Sequence, residues 1–361
     1  MIEESKLETQ SSGSNSAWEK VEAVLKKHYH NPDIEAARAV YSAVAAHWLK
    51  GQPVWSMLVA PPGSMKTELV GAIDGLPGVH LIDQVTPSTF ISGQVEEPGK
   101  IRTKPASLLH RIGDDGIIVC ADFSTVLEMR PDRRGQVLAE MRRIYDGHFR
   151  KEFGTAENLK EREWKGRITF VVAVTPAIDS HYSVFSTLGE RFVMNRWPRA
   201  GGVEVAIAAM TQDGQQAKSE LKEAVHELFD SLPKVEPELP GPFLVRVAAI
   251  AEIAVDARTY VERARYGKDI IYVPEPESNT RLAQQLAQLA KGSALLGGRD
   301  EVTEEDIAVV RRVAFDCMPP QRKAILRSTD RREEPQQSRA AFFHSALRER
   351  GLGGVGLTRE R

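Results

Sequence analysis

The spacing of apolar residues changes period along the chain. From Trp18 onward it is helical, and Ile34, Ala37, Val40, Tyr41, Val44 and Trp48 recur every three or four positions on one face until Gly51, Gln52 and Pro53 end the run. Between residues 54 and 174 the period shifts. VWSMLV at 54–59, HLID at 80–83, GIIVCA at 116–121 and ITFVVAV at 168–174 are short, nearly continuous apolar runs with helical or loop segments between them. Such runs do not alternate, so they predict strands buried on both faces, in a parallel sheet covered by helices. After Gly201 and Gly202 the pattern predicts helices only, near 215–231, 243–265, 279–296 and 303–317, and no strand. The last opens on Thr303-Glu304-Glu305-Asp306, a capping box, and carries Ile307, Val310, Ala314 and Cys317 on one side. The expected fold class is therefore three-layer α/β followed by an all-helical part. Helices over 17–52 precede a core over 53–202, and a helical domain spans 203–318, with Pro233, Pro237, Pro240 and Pro242 marking a connection inside it.

Composition narrows the class. The 361 residues carry 48 Lys and Arg against 50 Asp and Glu, a net charge of -2, which excludes a globally basic nucleic-acid binder. Residues 1–16 are polar and Ser-rich and predict a disordered tail rather than a signal peptide. Residues 319–361 hold a local excess of basic groups and a Gly-rich end, and predict a basic, flexible tail. The only cysteines, Cys120 and Cys317, are far apart without CxxC spacing, which points to a reducing cytoplasm and away from a disulfide or zinc scaffold. No apolar run approaches the length of a membrane span, so no membrane partner is expected.

The chemistry begins at Ala60-Pro61-Pro62-Gly63-Ser64-Met65-Lys66-Thr67, placed directly after one apolar run and before a helical stretch. That context suits a phosphate-binding loop. Backbone N–H groups and a helix N-terminus would cradle the phosphates of ATP, Lys66 would reach the β/γ oxygens, and the Thr67 hydroxyl would ligate Mg²⁺. Ala60 and Met65 stand where glycines are usual, and Met65 is the more consequential, because a side chain beside the lysine restricts the backbone that wraps the phosphate. Hydrolysis needs an acid near the metal and the attacking water. The run GIIVCA leads into Asp122 and Phe123, so Asp122 serves either the metal side or the water side, with Glu128 and Asp146 as candidate substitutes for a second acid. The fourth run ends at Thr175-Pro176, which puts a hydroxyl within reach of a γ-phosphate.

Taken together, APPGSMKT, IIVCADF, VVAVTP, the segment Leu188-Gly189-Glu190-Arg191-Phe192, and Asn279-Thr280-Arg281-Leu282 through Asp300–Asp306 resemble AAA+ ATPases, and within them the helicase group that includes the minichromosome maintenance proteins. The resemblance covers roughly residues 50–318. It implies a P-loop NTPase core with a helical lid, assembling as a hexameric ring of identical chains. It also implies that Arg191 is an arginine finger reaching a neighbour's ATP, that Arg281 is a second sensor, and that Thr175 is the first sensor. Both arginines would neutralise charge developing on the γ-phosphate. Asp122, Thr175, Arg191 and Arg281 are thus the expected catalytic set, with ATP and Mg²⁺ as cofactors, the nucleotide held by Ala60, Pro61, Pro62, Gly63, Ser64, Met65, Lys66 and Thr67 and the metal by Thr67 and Asp122.

In the resembling helicases the interval between the acid run and the Thr175 run holds a hairpin that grips DNA. Here residues 147–167 carry six Lys and Arg and four Glu, with Phe149, Phe153 and Trp164 interleaved. Lys151, Lys165 and Arg167 are the expected DNA contacts.

Overall fold

The computed structural model describes residues 17–91, 107–153, 160–181, 190–199, 201–211, 213–259, 261–263 and 269–330. The expected tail at 1–16 and the end of the chain from 331 lie outside the described residues, as do Leu188 and Gly189. The described residues up to Met318 form one compact unit, and those from Pro319 belong to a second. Among the described residues no helix is long and apolar enough to cross a membrane.

The four apolar runs are strands: β1 (Trp55–Val59), β2 (Val79–Ile82), β3 (Asp115–Cys120) and, beyond the hairpin β4 (His148–Phe153) and β5 (Lys160–Lys165), β6 (Arg167–Val174). A fifth, β7 (Phe192–Arg196), has the sequence FVMNR, too short and too polar at its end to stand out as an apolar run. The strands form one sheet in the order β2-β3-β6-β1-β7, every pair parallel. β1 therefore lies between β6 and β7. The chain runs from β1 to the far edge at β2, works back through β3 and β6, and then crosses to β7 on the other side of β1, so the strand order reverses at β1.

Helices cover both faces. On one, Tyr41 of α2 (Ile34–Ala45), Leu69 of α3 (Lys66–Gly71) and Ile73 pack with Leu58, Val119 and Val171 of the sheet. The helix over 17–28, α1, adds Val21 and Leu25 to the same cluster. On the other face, Trp55 meets Phe170 at 4.6 Å, Phe192 at 5.0 Å and Tyr145 at 5.1 Å between ring centres. Tyr145 ends α6 (Pro131–Tyr145), which follows the short α4 (Leu108–Ile112) and α5 (Ser124–Leu127).

After the sheet come α7 (Val203–Thr211), α8 (Gly214–Asp230), α9 (Gly241–Arg258), α10 (Thr280–Leu296) and α11 (Glu304–Asp316). The helices expected after residue 202 are present, and α7 is an addition to them. The expectation of no strand there is corrected by β8 (Glu262–Arg263) and β9 (Ile270–Tyr272), a small antiparallel pair between α9 and α10. The capping box is present, with Thr303 N–H donating to Asp306 Oδ2 at 2.8 Å. Helix α10 lies against α2, and Gly292 permits the approach: a Cβ there would sit 2.2 Å from Ser42 O. Pro320–Asp330 forms α12 within the second unit, where the sequence pattern suggested only a tail.

Candidate functional site

The segment after β1 is tied down at both ends. Ala60 N–H donates to Val174 O at 3.0 Å, which fixes its start to β6. Ser64 Oγ donates to Pro61 O across the bend. Gly63 has φ +74°, and Met65 takes φ 63°, ψ 3°, the left-handed conformation, immediately before α3 begins at Lys66. That conformation costs a non-glycine residue roughly 1–2 kcal/mol. The cost is offset by packing, since the half-buried Met65 side chain lies against the core cluster of Leu58, Leu69 and Ile73. The backbone thus adopts the turn that a glycine would give, with methionine in place. Lys66 is half-buried and Thr67 exposed, both on the first turn of α3.

The acid stands beside this loop. Asp122 is exposed just past β3, and its Oδ1 accepts the Ser124 N–H at 3.1 Å, an Asx turn that opens α5. Ser124 Oγ then accepts the Thr175 N–H at 3.2 Å and lies 3.5 Å from Thr175 Oγ1. Register explains the convergence: Cys120 pairs with Val172 on β6, and Val174 with Val59 on β1, so three adjacent strands end side by side. Lys66, Thr67, Asp122 and Thr175 are brought together at the carboxyl edge of the sheet, at the point where its strand order reverses. Sequence reasoning missed Ser124, the link between acid and threonine; the only signal for it is its place two residues after Asp122.

A charged rim borders the same edge. Arg196, paired in register with Val59, donates to both Asp179 oxygens at 2.9 and 2.7 Å and, through Nε, to Asp316 O at 2.9 Å. Arg312 on α11 donates to Asp33 at 2.6 Å, Glu35 at 3.1 Å and Arg196 O at 3.3 Å. The turn after Thr175, the last helix of the unit and the cap of α2 are fastened together there. None of these residues stood out in the sequence, because apart from Arg196 with Asp179 the pairing spans more than a hundred positions.

Arg191 and Arg281 lie at the opposite edge. Arg191 immediately precedes β7, whose Phe192 pairs with Trp55 at the start of β1, so about 13 Å of strand separates that end from the turn after β1. Its Nη2 donates to Asp146 at 3.0 and 3.3 Å, and its guanidinium stands 5.5 Å from the Tyr145 ring centre. Burial raises the Tyr145 hydroxyl to about 12, while nearby Arg281 and Arg191 pull it down. Arg281 pairs with Glu277 at 3.5 Å, and Glu277 also binds Arg258. Buried Arg258 reaches back to Glu190, and these carboxylates hold its charge against the cost of burial. The two arginines thus meet around Tyr145, Arg191 from its pair with Asp146 and Arg281 from the Glu277–Arg258–Glu190 network. Asp146 is held by Arg191 at this edge, so it is not a second acid beside the turn before α3; Glu128 is exposed at the end of α5.

The expected hairpin exists as β4 and β5, and its tip at 154–159 lies outside the described residues. Lys151 Nζ is 2.6 Å from Glu140 and donates to Pro87 O at 2.9 Å. Burial raises the Glu140 carboxyl, and Lys151 opposes that by stabilising its charge. Lys165 is exposed and lies 3.0 Å from Glu163. Arg167 caps the end of α2 instead, donating to Gly51 O at 3.1 Å, Leu49 O at 3.0 Å, Ala46 O at 3.3 Å and also to His47 O. Of the three expected DNA contacts, Lys165 alone presents its charge to solvent.

No family model matches the chain, and no curated protein matches it.

Proposed function

We propose that the protein is an ATP-hydrolysing P-loop ATPase of the AAA+ kind, completed between copies of the chain and driving work on DNA as a helicase or translocase. The observation that carries the nucleotide reading is the convergence of a left-handed turn before Lys66, the Asp122 carboxylate and the Ser124–Thr175 pair at the point of strand-order reversal. The glycine-like backbone at Met65 leads directly into the first turn of α3, whose amides would take phosphate oxygens, with Lys66 adding positive charge. The Thr67 hydroxyl and Asp122 carboxylate are exposed oxygen donors of the kind a hard divalent cation takes. When bound, Mg²⁺ would neutralise charge on the β and γ oxygens. Asp122 would orient the attacking water or the cation's water shell, and Thr175, held by Ser124, would hydrogen-bond the γ-phosphate.

Arg191 and Arg281 share an edge a full strand length from the loop of their own chain. In this reading they act on the γ-phosphate of a neighbouring copy, buried Arg191 leaving Asp146 to do so, and activity needs assembly in a ring of six, the size the resemblance implies. The DNA part rests on the resemblance and on the hairpin. One observation favours a second reading, a remodeller of polypeptide: Arg150 lies 2.7 Å from Glu161 and Lys151 2.6 Å from Glu140, so two of the hairpin's cations are paired with carboxylates.

The test is ATPase rate, alone and with single-stranded DNA, duplex DNA or an unfolded polypeptide. Lys66→Ala and Asp122→Asn should each lose about 100-fold or more in rate. Mixing Arg191→Ala with Lys66→Ala should restore part of the activity, since some junctions then pair an intact loop with an intact finger. Absence of turnover in the wild type at every concentration and with every polymer would overturn the reading.

A further inference from the structure

A cavity of about 700 Å³ opens between α10 and the connection that precedes α9, beside Gly51 and Gln52, which lead into the start of β1. It lies at the end of β1 remote from Lys66, and its volume is in the range of sites for small organic molecules. Leu239, Leu244 and Ala287 give it an apolar wall, and Leu244 is 55% exposed there. Its charged groups are unevenly matched. Glu236 is answered within the fold, since its carboxylate accepts from Lys291 Nζ at 3.1 Å and from Lys50 N–H at 3.2 Å. Glu238 is exposed and has no ion pair among the described residues. Of the three charges in the lining, one negative charge is therefore left over.

Gln288 adds a second unmet acceptor. Its Nε2 donates to Lys50 O at 2.5 Å, and a carbonyl oxygen can only accept, so the amide nitrogen is fixed on that side. Gly51 makes room for it: its φ is +121°, and a Cβ there would stand 1.8 Å from Gln288 Nε2. Gln288 Oε1 is then left buried without a hydrogen-bond partner, which costs free energy that a donor from outside would recover.

We propose that this cavity binds an organic cation, an ammonium or guanidinium group on an aliphatic stem, carried by a free amine or by a basic side chain of a peptide. The N–H donors of such a group answer Glu238 and Gln288 Oε1 together, and its stem covers Leu239, Leu244 and Ala287. An anion would meet the surplus carboxylate, and a neutral apolar molecule would leave both acceptors unmet. A bare metal ion would gain nothing from the apolar wall. The site is separate from the proposed nucleotide site and does not depend on that reading.

Titration calorimetry on the full chain, without nucleotide, tests it with two probes, spermidine and the peptide acetyl-Leu-Arg-Leu-amide, and with neutral 1,8-octanediol for comparison. At least one cationic probe should bind saturably at one per chain, and the diol should not. Binding of spermidine alone assigns the site to a free amine, of the peptide alone to a side chain, and of both to the cation itself. Glu238→Gln should weaken binding about 10-fold or more, whereas Glu301→Gln, which removes the same charge from an exposed neighbour outside the cavity, should change it less than about 2-fold. Gln284→Trp, which fills the mouth from an exposed position of α10, should abolish it. All three positions are exposed, so far-ultraviolet circular dichroism should be unchanged. No saturable binding of either cation, saturable binding of the diol, equal losses from Glu238→Gln and Glu301→Gln, or undiminished binding to Gln284→Trp overturns the proposal.

Discussion

At the scale of single residues, Met65 shows how a side chain can occupy a turn that favours glycine. Its left-handed backbone is strained, and contact with the core cluster compensates. A β-branched residue cannot share that compromise, since its two Cβ substituents clash in this conformation. Met65→Val should lose about 1–2 kcal/mol of stability in urea titration, whereas Met65→Gly, which gives up packing but also strain, should lose less. Arg167 teaches the converse lesson. Its charge made it a DNA candidate, yet its guanidinium satisfies carbonyls at the end of α2. Arg167→Ala should cost about 2–3 kcal/mol in the same titration, with DNA affinity at matched folding unchanged. Lys165→Ala, by contrast, should leave stability within about 0.5 kcal/mol and lower the salt slope of any DNA binding by about one.

At the scale of elements, the turn that extends α2, Ala46–Trp48, places His47 against the sheet. Its Nδ1 lies 3.0 Å from Thr169 Oγ1 and its Nε2 3.5 Å from Asp115. Burial pushes the imidazole down from 6.5 to about 4, Arg167 adds to the effect, and Asp115 opposes it. Above pH 6.5 the ring is neutral whether the chain is folded or unfolded; between 6.5 and about 4 only the unfolded chain takes the proton. Stability should therefore fall as pH drops through that window, by up to about 1.4 kcal/mol per pH unit from this group. Urea titrations at pH 6.5 and 5 should show the loss, and His47→Gln should reduce it. The hairpin is a second case. Its six-residue strands pair as their alternation allows, but whether its lysines face a polymer or a neighbouring carboxylate depends on α6, which brings Glu140 to Lys151. Lys151→Ala should destabilise by about 2–3 kcal/mol by leaving Glu140 buried without its cation.

At the scale of the whole molecule, the turn before α3 and the two arginines sit at opposite edges of one parallel sheet. On the proposed reading, ATPase per chain should rise with protein concentration before reaching a plateau. The sequence by itself determined the elements whose cause is local. Continuous apolar runs marked four of the five sheet strands, three-to-four spacing and the capping box marked the helices, and the residues 60–67 marked the turn before α3. It missed β7 because five residues ending in Asn195 and Arg196 carry no apolar run, and β9 because a short apolar stretch inside a helical region has no periodic signature. Which charges meet was decided only by the tertiary structure. Arg191 with Asp146, Arg196 with Asp316 and Arg167 with the end of α2 are joined across long stretches of chain. A charged side chain has the same appearance in the sequence whether it faces solvent, a carbonyl or a phosphate, and its role follows from what packing brings within about 3 Å of it.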